Sequence, residues 1–135
     1  FFEVFMGKLN IDTEINNKNS FLTDVISFIN ENLSNENLVI EDIADQLNIS
    51  KSKLYRNIKN TSGISANQLI RKLRIERSKE LLLKSNFSIS EICYNVGFSS
   101  PSYFTKRFKE YAGMVPKQFK LKYLNENKIG KNKDL

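Results

Sequence analysis

Two stretches of the chain repeat one pattern of apolar and small residues, and this repeat constrains the fold more than any other feature. Residues 40–63 read IEDIADQLNISKSKLYRNIKNTSG, and residues 89–113 read ISEICYNVGFSSPSYFTKRFKEYAG. In the first halves, Ile43, Ala44, Leu47, Asn48 and Ile49 match Ile92, Cys93, Val96, Gly97 and Phe98 at an offset of forty-nine. Further on, Leu54, Ile58, Gly63, Gln68 and Leu69 match Phe104, Phe108, Gly113, Gln118 and Phe119 at an offset of fifty. Two copies of one unit, with one residue inserted in the second turn, explain this register.

Each copy predicts a short helix, a tight turn and a second helix, which is the helix-turn-helix plan. The turn holds Asn48 in the first copy and Gly97 in the second, and both residue types tolerate a left-handed backbone. Ser50 suits the N-cap of the second helix, as does Ser99 or Ser100 in the other copy. The apolar positions recur at helical spacing, so each second helix is expected to bury one face and expose the other.

Further helices flank and connect the two copies. Ser20 suits an N-cap, and the apolar stripe over 21–33 predicts a first helix. Residues 65–85 predict one long central helix of roughly 30 Å, close to the about 34–36 Å of one B-DNA turn. Pro116 opens a closing basic helix. The prediction is an all-α chain in which a long central helix joins two helix-turn-helix subdomains.

The composition supports a folded chain with a polyanion as its partner. The chain has 135 residues with a hydrophobic fraction of 40%, enough for one ordinary domain or two very small ones sharing a spacer. Its longest apolar run is too short to cross a bilayer and no signal-peptide pattern opens it, so we expect a cytoplasmic protein. A net charge of +6 suits nucleic acid or an anionic membrane surface.

The residue types present argue against catalysis. Cys93 is the only cysteine and histidine is absent, which excludes internal disulfides, Cys/His zinc sites and histidine-dependent triads. The acidic residues are scattered among lysines, as on helix surfaces. We therefore expect no enzyme activity, no metal and no cofactor. Ion pairs with Glu76 and Glu80 are the structural alternative to DNA contact for the basic residues of the central helix, Arg71, Lys72, Arg74 and Arg77. For Arg74 the ion pair is the preferred interpretation.

The motif GFSSPSYFTKRFKEYAGMVPKQF, residues 97–119, is highly specific and resembles the C-terminal DNA-binding domain of the AraC/XylS family of bacterial transcription regulators. The stretch ISKSKLYRNIKNTSGISANQLIRKLRIERSKELL supports the resemblance, which covers residues 20–124. Ser78 and Cys93 stand where alanine is common in that family, and Lys120 follows Phe119 where Tyr-Arg is frequent. The resemblance implies seven helices and sequence-specific binding of promoter DNA through two successive major-groove segments. A looser resemblance is to hybrid two-component regulators.

The exposed side of each second helix supplies the candidate DNA contacts, since its N-terminal part meets base edges in a helix-turn-helix. Arg56 is the leading candidate because arginine binds guanine O6 and N7 bidentately. Three roles are considered for Tyr55, which are contact with a thymine methyl, contact with a phosphate and covering the edge of the core. The base-reading candidates are Ser52, Lys53, Tyr55, Arg56, Lys59, Pro101, Ser102, Thr105, Lys106 and Lys109. The phosphate-contact candidates are Ser50, Lys51, Ser99, Ser100, Arg107, Lys117 and Lys120.

These patterns divide the chain into a central domain and two ends. Residues 1–19 are interpreted as a connector or the tail of a preceding domain, and 125–135 as a flexible basic tail. The domain over 20–124 comprises a first subdomain (20–63), the linker helix (65–85) and a second subdomain (88–124). The expected partners are promoter DNA, RNA polymerase and an upstream sensory or receiver domain, and the isolated domain is expected to be a monomer.

Two other functions fit the same helices. Paired helical hairpins can form a protein-interaction module, and a basic surface can bind a membrane. The exposed faces of the second helices favour DNA over both, because they are rich in Ser, Thr, Lys and Arg and not apolar.

Overall fold

A computed structural model describes the backbone over residues 16–38 and 40–133 and the side chains over 20–38 and 40–126. The described residues form seven helices and no strand, which confirms the predicted all-α fold. The helices are α1 (Asn16–Glu31), α2 (Glu41–Leu47), α3 (Lys51–Ser62), α4 (Ala66–Lys84), α5 (Ile89–Asn95), α6 (Pro101–Ala112) and α7 (Pro116–Lys133). Two helix-turn-helix pairs, α2–α3 and α5–α6, flank the long helix α4.

The described residues divide into two compact units, and α4 contributes to both. The first unit contains residues up to 33 and 37–73, and the second contains 34–36 and residues from 74 onward. The division falls within α4, between Leu73 and Arg74. Each unit has its own buried cluster of apolar residues.

Aliphatic side chains fill the core of the first unit. Helices α1, α2, α3 and the start of α4 each direct apolar residues at helical spacing into it. The buried members are Leu22, Val25, Ile26, Ile29, Leu33, Ile40, Ile43, Ala44, Leu54, Ile58, Ala66, Leu69, Ile70 and Leu73. Ala44 lies where α2 packs against α3, and its small side chain suits that close packing.

Aromatic side chains dominate the core of the second unit. Phe104, Phe108 and Phe119 form a continuous series of ring contacts, with centroids 5.8 Å and then 5.4 Å apart. Phe98 continues the series on the other side of Phe104, at 5.2 Å. Edge-to-face and tilted rings at these distances stabilise a core beyond the apolar area they bury. Cys93 takes the position equivalent to Ala44 and is fully buried.

Caps and turns explain why the helices of the first unit begin and end where they do. Asn48 adopts the left-handed conformation at φ 54°, and it ends α2 as the sequence predicts. Ser50 Oγ accepts the backbone N–H of Lys53 at 3.1 Å, which satisfies one of the free donors at the start of α3. Gly63 at φ 80° ends α3.

The second unit is capped more completely. Ser88 and Glu91 form a reciprocal capping box at the start of α5, where Ser88 Oγ accepts the Glu91 N–H at 3.1 Å. Gly97 in the turn has φ 95°, and Ser100 Oγ accepts the Tyr103 N–H at 3.4 Å at the start of α6. Pro101 occupies the first turn of α6, where its missing N–H has no cost. By contrast, α2 has no side-chain hydrogen bond at its N-cap, Ile40.

The two ends of the fold differ from the sequence prediction. Ser20 is not an N-cap, because α1 already begins at Asn16 and Ser20 lies inside it. A helix held by a buried stripe gains a backbone hydrogen bond for each added residue, so a polar first turn can extend it. For the same reason α7 continues to Lys133, and the predicted tail from residue 125 is helical that far. Residues 1–15 of the predicted connector (1–19) lie outside the described residues, and 16–19 belong to α1.

Candidate nucleic-acid interface

The exposed face of α3 carries the five base-reading candidates of the first unit. Leu54 and Ile58 are fully buried, which fixes the orientation of the helix. Residues three and four apart on a helix lie on the same face, so the side chains that lie off the Leu54–Ile58 face point outward. The outward, solvent-exposed residues are Ser52, Lys53, Tyr55, Arg56 and Lys59.

Two cations of α3 differ in how they are engaged. The Lys59 ammonium donates to the Gly63 carbonyl at 3.1 Å, so it stabilises the C-terminal end of the helix. The Arg56 guanidinium, one turn earlier, makes no hydrogen bond or ion pair with any group that the structure describes. Its guanidinium is therefore available to a ligand without breaking an internal contact.

Tyr55 is tied to a residue that the sequence did not single out. Its hydroxyl donates to Glu41 Oε1, at the start of α2, at 2.8 Å. Burial first, and then this hydrogen bond to a carboxylate, raise the pKa of Tyr55 to about 12. The same bond is the main cause that holds the Glu41 pKa below its usual value, with smaller contributions from the Glu41 backbone N–H and from Lys51. No sequence signal found this contact, since it depends on how α2 packs against α3.

The exposed face of α6 is less open than that of α3. Ser102, Lys106 and Lys109 are exposed, whereas Pro101 and Thr105 are half-buried. The Ser100 and Ser102 hydroxyl oxygens lie 3.0 Å apart, so they share a hydrogen bond. The five base-reading candidates of the second unit thus all lie on α6, but fewer of their side chains are fully exposed and unpaired than on α3.

The arginine of α6 is committed to its own helix. Arg107 Nε donates to the Tyr103 hydroxyl at 3.0 Å, and Arg107 Nη1 pairs with Glu110 Oε2 at 2.9 Å. Its guanidinium also lies over the Tyr103 ring at 5.1 Å. The Tyr103 hydrogen bond, followed by the one to Glu110, raises the Arg107 pKa. A phosphate contact by Arg107 would have to compete with both partners.

The remaining phosphate candidates gather at helix starts. Ser50 and Ser100 are the N-caps of α3 and α6, beside backbone N–H groups that attract anions. Lys51, Ser99 and Lys117 are exposed, and Lys120 is half-buried. Lys51 and Lys117 each lie in the first turn of a helix.

The ion pairs of α4 follow the predicted pattern in part. Arg77 pairs with Glu80 at 2.9 Å, and Lys79, which was not among the predicted donors, pairs with Glu76 at 3.2 Å. The prediction for Arg74 is wrong. Its Nη2 donates to the Asn35 carbonyl at 2.9 Å and its guanidinium faces the Phe98 ring at 6.0 Å, so its bonding partner is a loop backbone and not a carboxylate. Burial lowers the Arg74 pKa.

The described part of the chain offers neither a membrane-spanning helix nor a metal site. No described helix is long and apolar enough to span a membrane. No group of three or more Cys, Asp or Glu side chains among the described residues is placed to hold a metal ion.

Comparisons with known proteins assign the chain to a family. The model of a family described as "Helix-turn-helix domain" matches residues 43–122. The "Msm operon regulatory protein" of Streptococcus mutans is 39% identical over 65% of this chain and 32% of its own length. "Histidine kinase P4" of Formosa agariphila is 30% identical over 76% of this chain and 7% of its own length. The chain thus spans at most a third of these two curated relatives.

A solved structure shares both the fold and the family. A transcriptional regulator from Chromobacterium violaceum, described among "AraC-type DNA-binding domain-containing proteins", is 27% identical with a TM-score of 0.71. The match covers 76% of this chain and 91% of that one. Because the family model matches more than half of the residues, the chain belongs to the helix-turn-helix family of AraC-type transcription regulators.

Proposed function

We propose that the chain binds double-stranded DNA sequence-specifically and regulates transcription, with α3 and α6 entering successive major-groove segments. The observation that carries the proposal is the repeated helix-turn-helix, in which each second helix buries its apolar face and exposes Ser and Lys side chains, together with Arg56 on α3. The relatives named as an operon regulatory protein and an AraC-type DNA-binding domain support it.

In this proposal the first unit discriminates between bases. Arg56 contacts guanine O6 and N7, since its guanidinium is exposed and uncommitted. Ser52 and Lys53, at the N-terminal end of the exposed face, reach neighbouring base edges. Lys59, bound to the helix end, contributes charge from the far end of the face.

The second unit mainly positions the protein on the duplex. Lys106 and Lys109 carry the exposed positive charge of α6, and Ser102 and Thr105 are short readers. Phosphate contacts come from the starts of α3, α6 and α7 and from α7 itself, through Ser50, Lys51, Ser99, Ser100, Lys117 and Lys120. These contacts fix the register but carry no sequence information.

The proposal also covers the domain organisation and partners of the whole protein. We assign residues 20–124 to the DNA-binding domain and 1–19 to a connector from an upstream sensory or receiver domain. The similarity to a small part of a protein named histidine kinase supports a hybrid two-component arrangement. Promoter DNA and RNA polymerase are the proposed partners, in the cytoplasm and without enzymatic activity. Two reading heads in one chain make a dimer unnecessary for a bipartite site, so the domain acts as a monomer.

Selection of bound sequences from a random DNA pool, followed by binding measurements in a salt series, tests the proposal. Affinity should fall steeply with rising salt as counterions are released from the duplex. Arg56→Ala should lose about 1–3 kcal/mol of discrimination at one base pair. Arg77→Ala is the matched control, because that arginine is also exposed but pairs with Glu80 on α4.

Two results would contradict parts of the proposal. Unchanged affinity and preference in Arg56→Ala would show that α3 does not read DNA through this face. Failure of the wild-type chain to bind any DNA fragment at low salt, together with capture of a protein partner, would favour the protein-interaction module.

A further inference from the structure

The contact between Glu41 and Tyr55 changes what the reading face of α3 can bind. Glu41 lies fourteen residues before Tyr55 and on another helix, and its carboxylate accepts the phenol proton at 2.8 Å. Tyr55 keeps 37% of its surface exposed. The pair therefore lies at the surface beside Arg56, on the face proposed to enter the major groove.

The Glu41–Tyr55 pair has hydrogen-bond acceptors left for a ligand but no donor. A tyrosine hydroxyl has one donor and two acceptor positions, and here the donor is used by Glu41. An ionised carboxylate only accepts. The raised Tyr55 pKa and the lowered Glu41 pKa keep the phenol neutral and the carboxylate ionised near neutral pH. Both side chains together thus present acceptors alone to a ligand.

We propose that Glu41 and Tyr55 act together as an acceptor pair that selects an adenine or cytosine amino group at one position of the first half-site. In the major groove adenine N6 and cytosine N4 are donors, whereas guanine O6 and thymine O4 are acceptors that the pair would oppose. A phosphate is likewise disfavoured, since the phenol proton is committed and the carboxylate is negative. The inference rests on the proposed DNA binding and replaces the phosphate role considered for Tyr55.

The same pair has no equivalent at the matching positions of the second unit. The repeat register places Ser90 opposite Glu41 and Thr105 opposite Tyr55. Neither residue is charged, so the selectivity belongs to the first half-site only. This asymmetry gives the experiment an internal reference within each bound sequence.

The test compares the base preferences of wild type, Glu41→Gln, Tyr55→Phe and Asp42→Asn, each selected against the same random DNA pool. Affinities for the four single-base variants of the selected site are then measured by fluorescence anisotropy. Glu41→Gln adds an amide donor, so discrimination against guanine and thymine should fall about tenfold at one position. Tyr55→Phe should relax the same position. Asp42→Asn is the matched control, since Asp42 is the exposed neighbour on α2 and loses the same charge.

Each outcome has a defined meaning. Loss of preference confined to one first-unit position, in both variants and not in Asp42→Asn, supports the acceptor pair. Equal tightening on all sequences in Glu41→Gln and Asp42→Asn would overturn it, because Glu41 would then act only as a bulk negative charge. Unchanged preferences in both variants would also overturn it. If the wild type itself selects no sequence, the proposed function fails and not this inference alone. Melting temperatures of all variants verify that each is folded.

Discussion

The two helix-turn-helix units share one backbone plan but differ in what they pack and expose. The first has an aliphatic core, an Asn turn and no side-chain cap on its first helix. The second has a series of edge-to-face and tilted rings, a Gly turn and a capping box. At the surface the second unit has more internal contacts than the first. The Arg107 side chain is bound to Tyr103 and Glu110, whereas the Arg56 side chain has no internal partner among the described residues.

This contrast separates the requirements of the fold from those of recognition. The plan needs a small residue where the two helices cross, a positive φ in the turn and a capped second helix, and both units meet these requirements. The exposed side chains are free to differ. The arginine of α6 is paired within its own helix, whereas the Arg56 guanidinium of α3 has no internal partner among the described residues and is available to a ligand.

Removing the matched core residue from each unit should have the largest effect. Leu54 and Phe104 hold the same register position and are both fully buried. Phe104→Ala should lower the free energy of unfolding by about 3–5 kcal/mol, and Leu54→Ala by about 2–5 kcal/mol. Denaturant unfolding measures both. A smaller loss for Phe104→Ala than for Leu54→Ala would contradict the expectation that the ring contacts of Phe104 stabilise the second core beyond the apolar area they bury.

Breaking α4 should separate the two units functionally. Ile75→Pro removes a helical N–H and clashes with the preceding turn, at a cost of about 3 kcal/mol or more. Affinity for a two-segment site should fall, while binding to a single half-site by the first unit persists. Ile75→Ala is the control for the buried side chain, since Ile75 is 1% exposed. A folded Ile75→Pro chain with full affinity for the two-segment site would refute a spacing role for α4.

Local signals made much of this architecture predictable. The turn at Asn48, the cap at Ser50 and the start of α6 at Pro101 each depend on residues within a few positions, and the structure has them where the sequence places them. The helical spacing of apolar residues also predicted buried positions such as Leu54, Ile58, Phe104 and Phe108. These features need no knowledge of how distant segments pack.

Contacts between distant residues were not predictable. Arg74 bonds the carbonyl of Asn35, thirty-nine residues earlier, and Tyr55 bonds Glu41 on another helix. Both depend on side-chain directions that are fixed only after the helices have packed. The base-reading and phosphate roles stay predictions, although exposure and internal pairing now distinguish Arg56 from Arg107.

Exchanging the turn residues tests how far the two units are equivalent. Gly97 has φ 95°, outside the left-handed region of about 50–70° that Asn reaches, so Gly97→Asn should cost about 1 kcal/mol. Asn48 has φ 54°, which both residues adopt, so Asn48→Gly should change stability by only a few tenths of a kcal/mol. Thermal and denaturant unfolding measure both. Equal effects of the two exchanges would show that the turns are energetically the same despite their different φ.

The smallest expected effect is the pH dependence of the Glu41–Tyr55 hydrogen bond. The pKa of Glu41 is lower in the folded chain than its usual value of 4.5, so its contribution is fully present above that value and is lost as pH falls through the folded pKa. Tyr55 has a raised pKa of about 12, so its contribution is present below its usual value of 10.0 and is lost as pH rises through about 12.

The stability difference between wild type and Tyr55→Phe should therefore be constant near neutral pH and become smaller in acid, where Glu41 is protonated and accepts a weaker hydrogen bond. Unfolding measured from pH 7 to below the Glu41 pKa tests this, and added salt should reduce the difference because the pair is at the surface. Asp42→Asn supplies the background titration of a neighbouring carboxylate without the tyrosine. A difference of unchanged size after Glu41 is protonated would mean that Tyr55 stabilises the first unit through packing and not through the charge of Glu41.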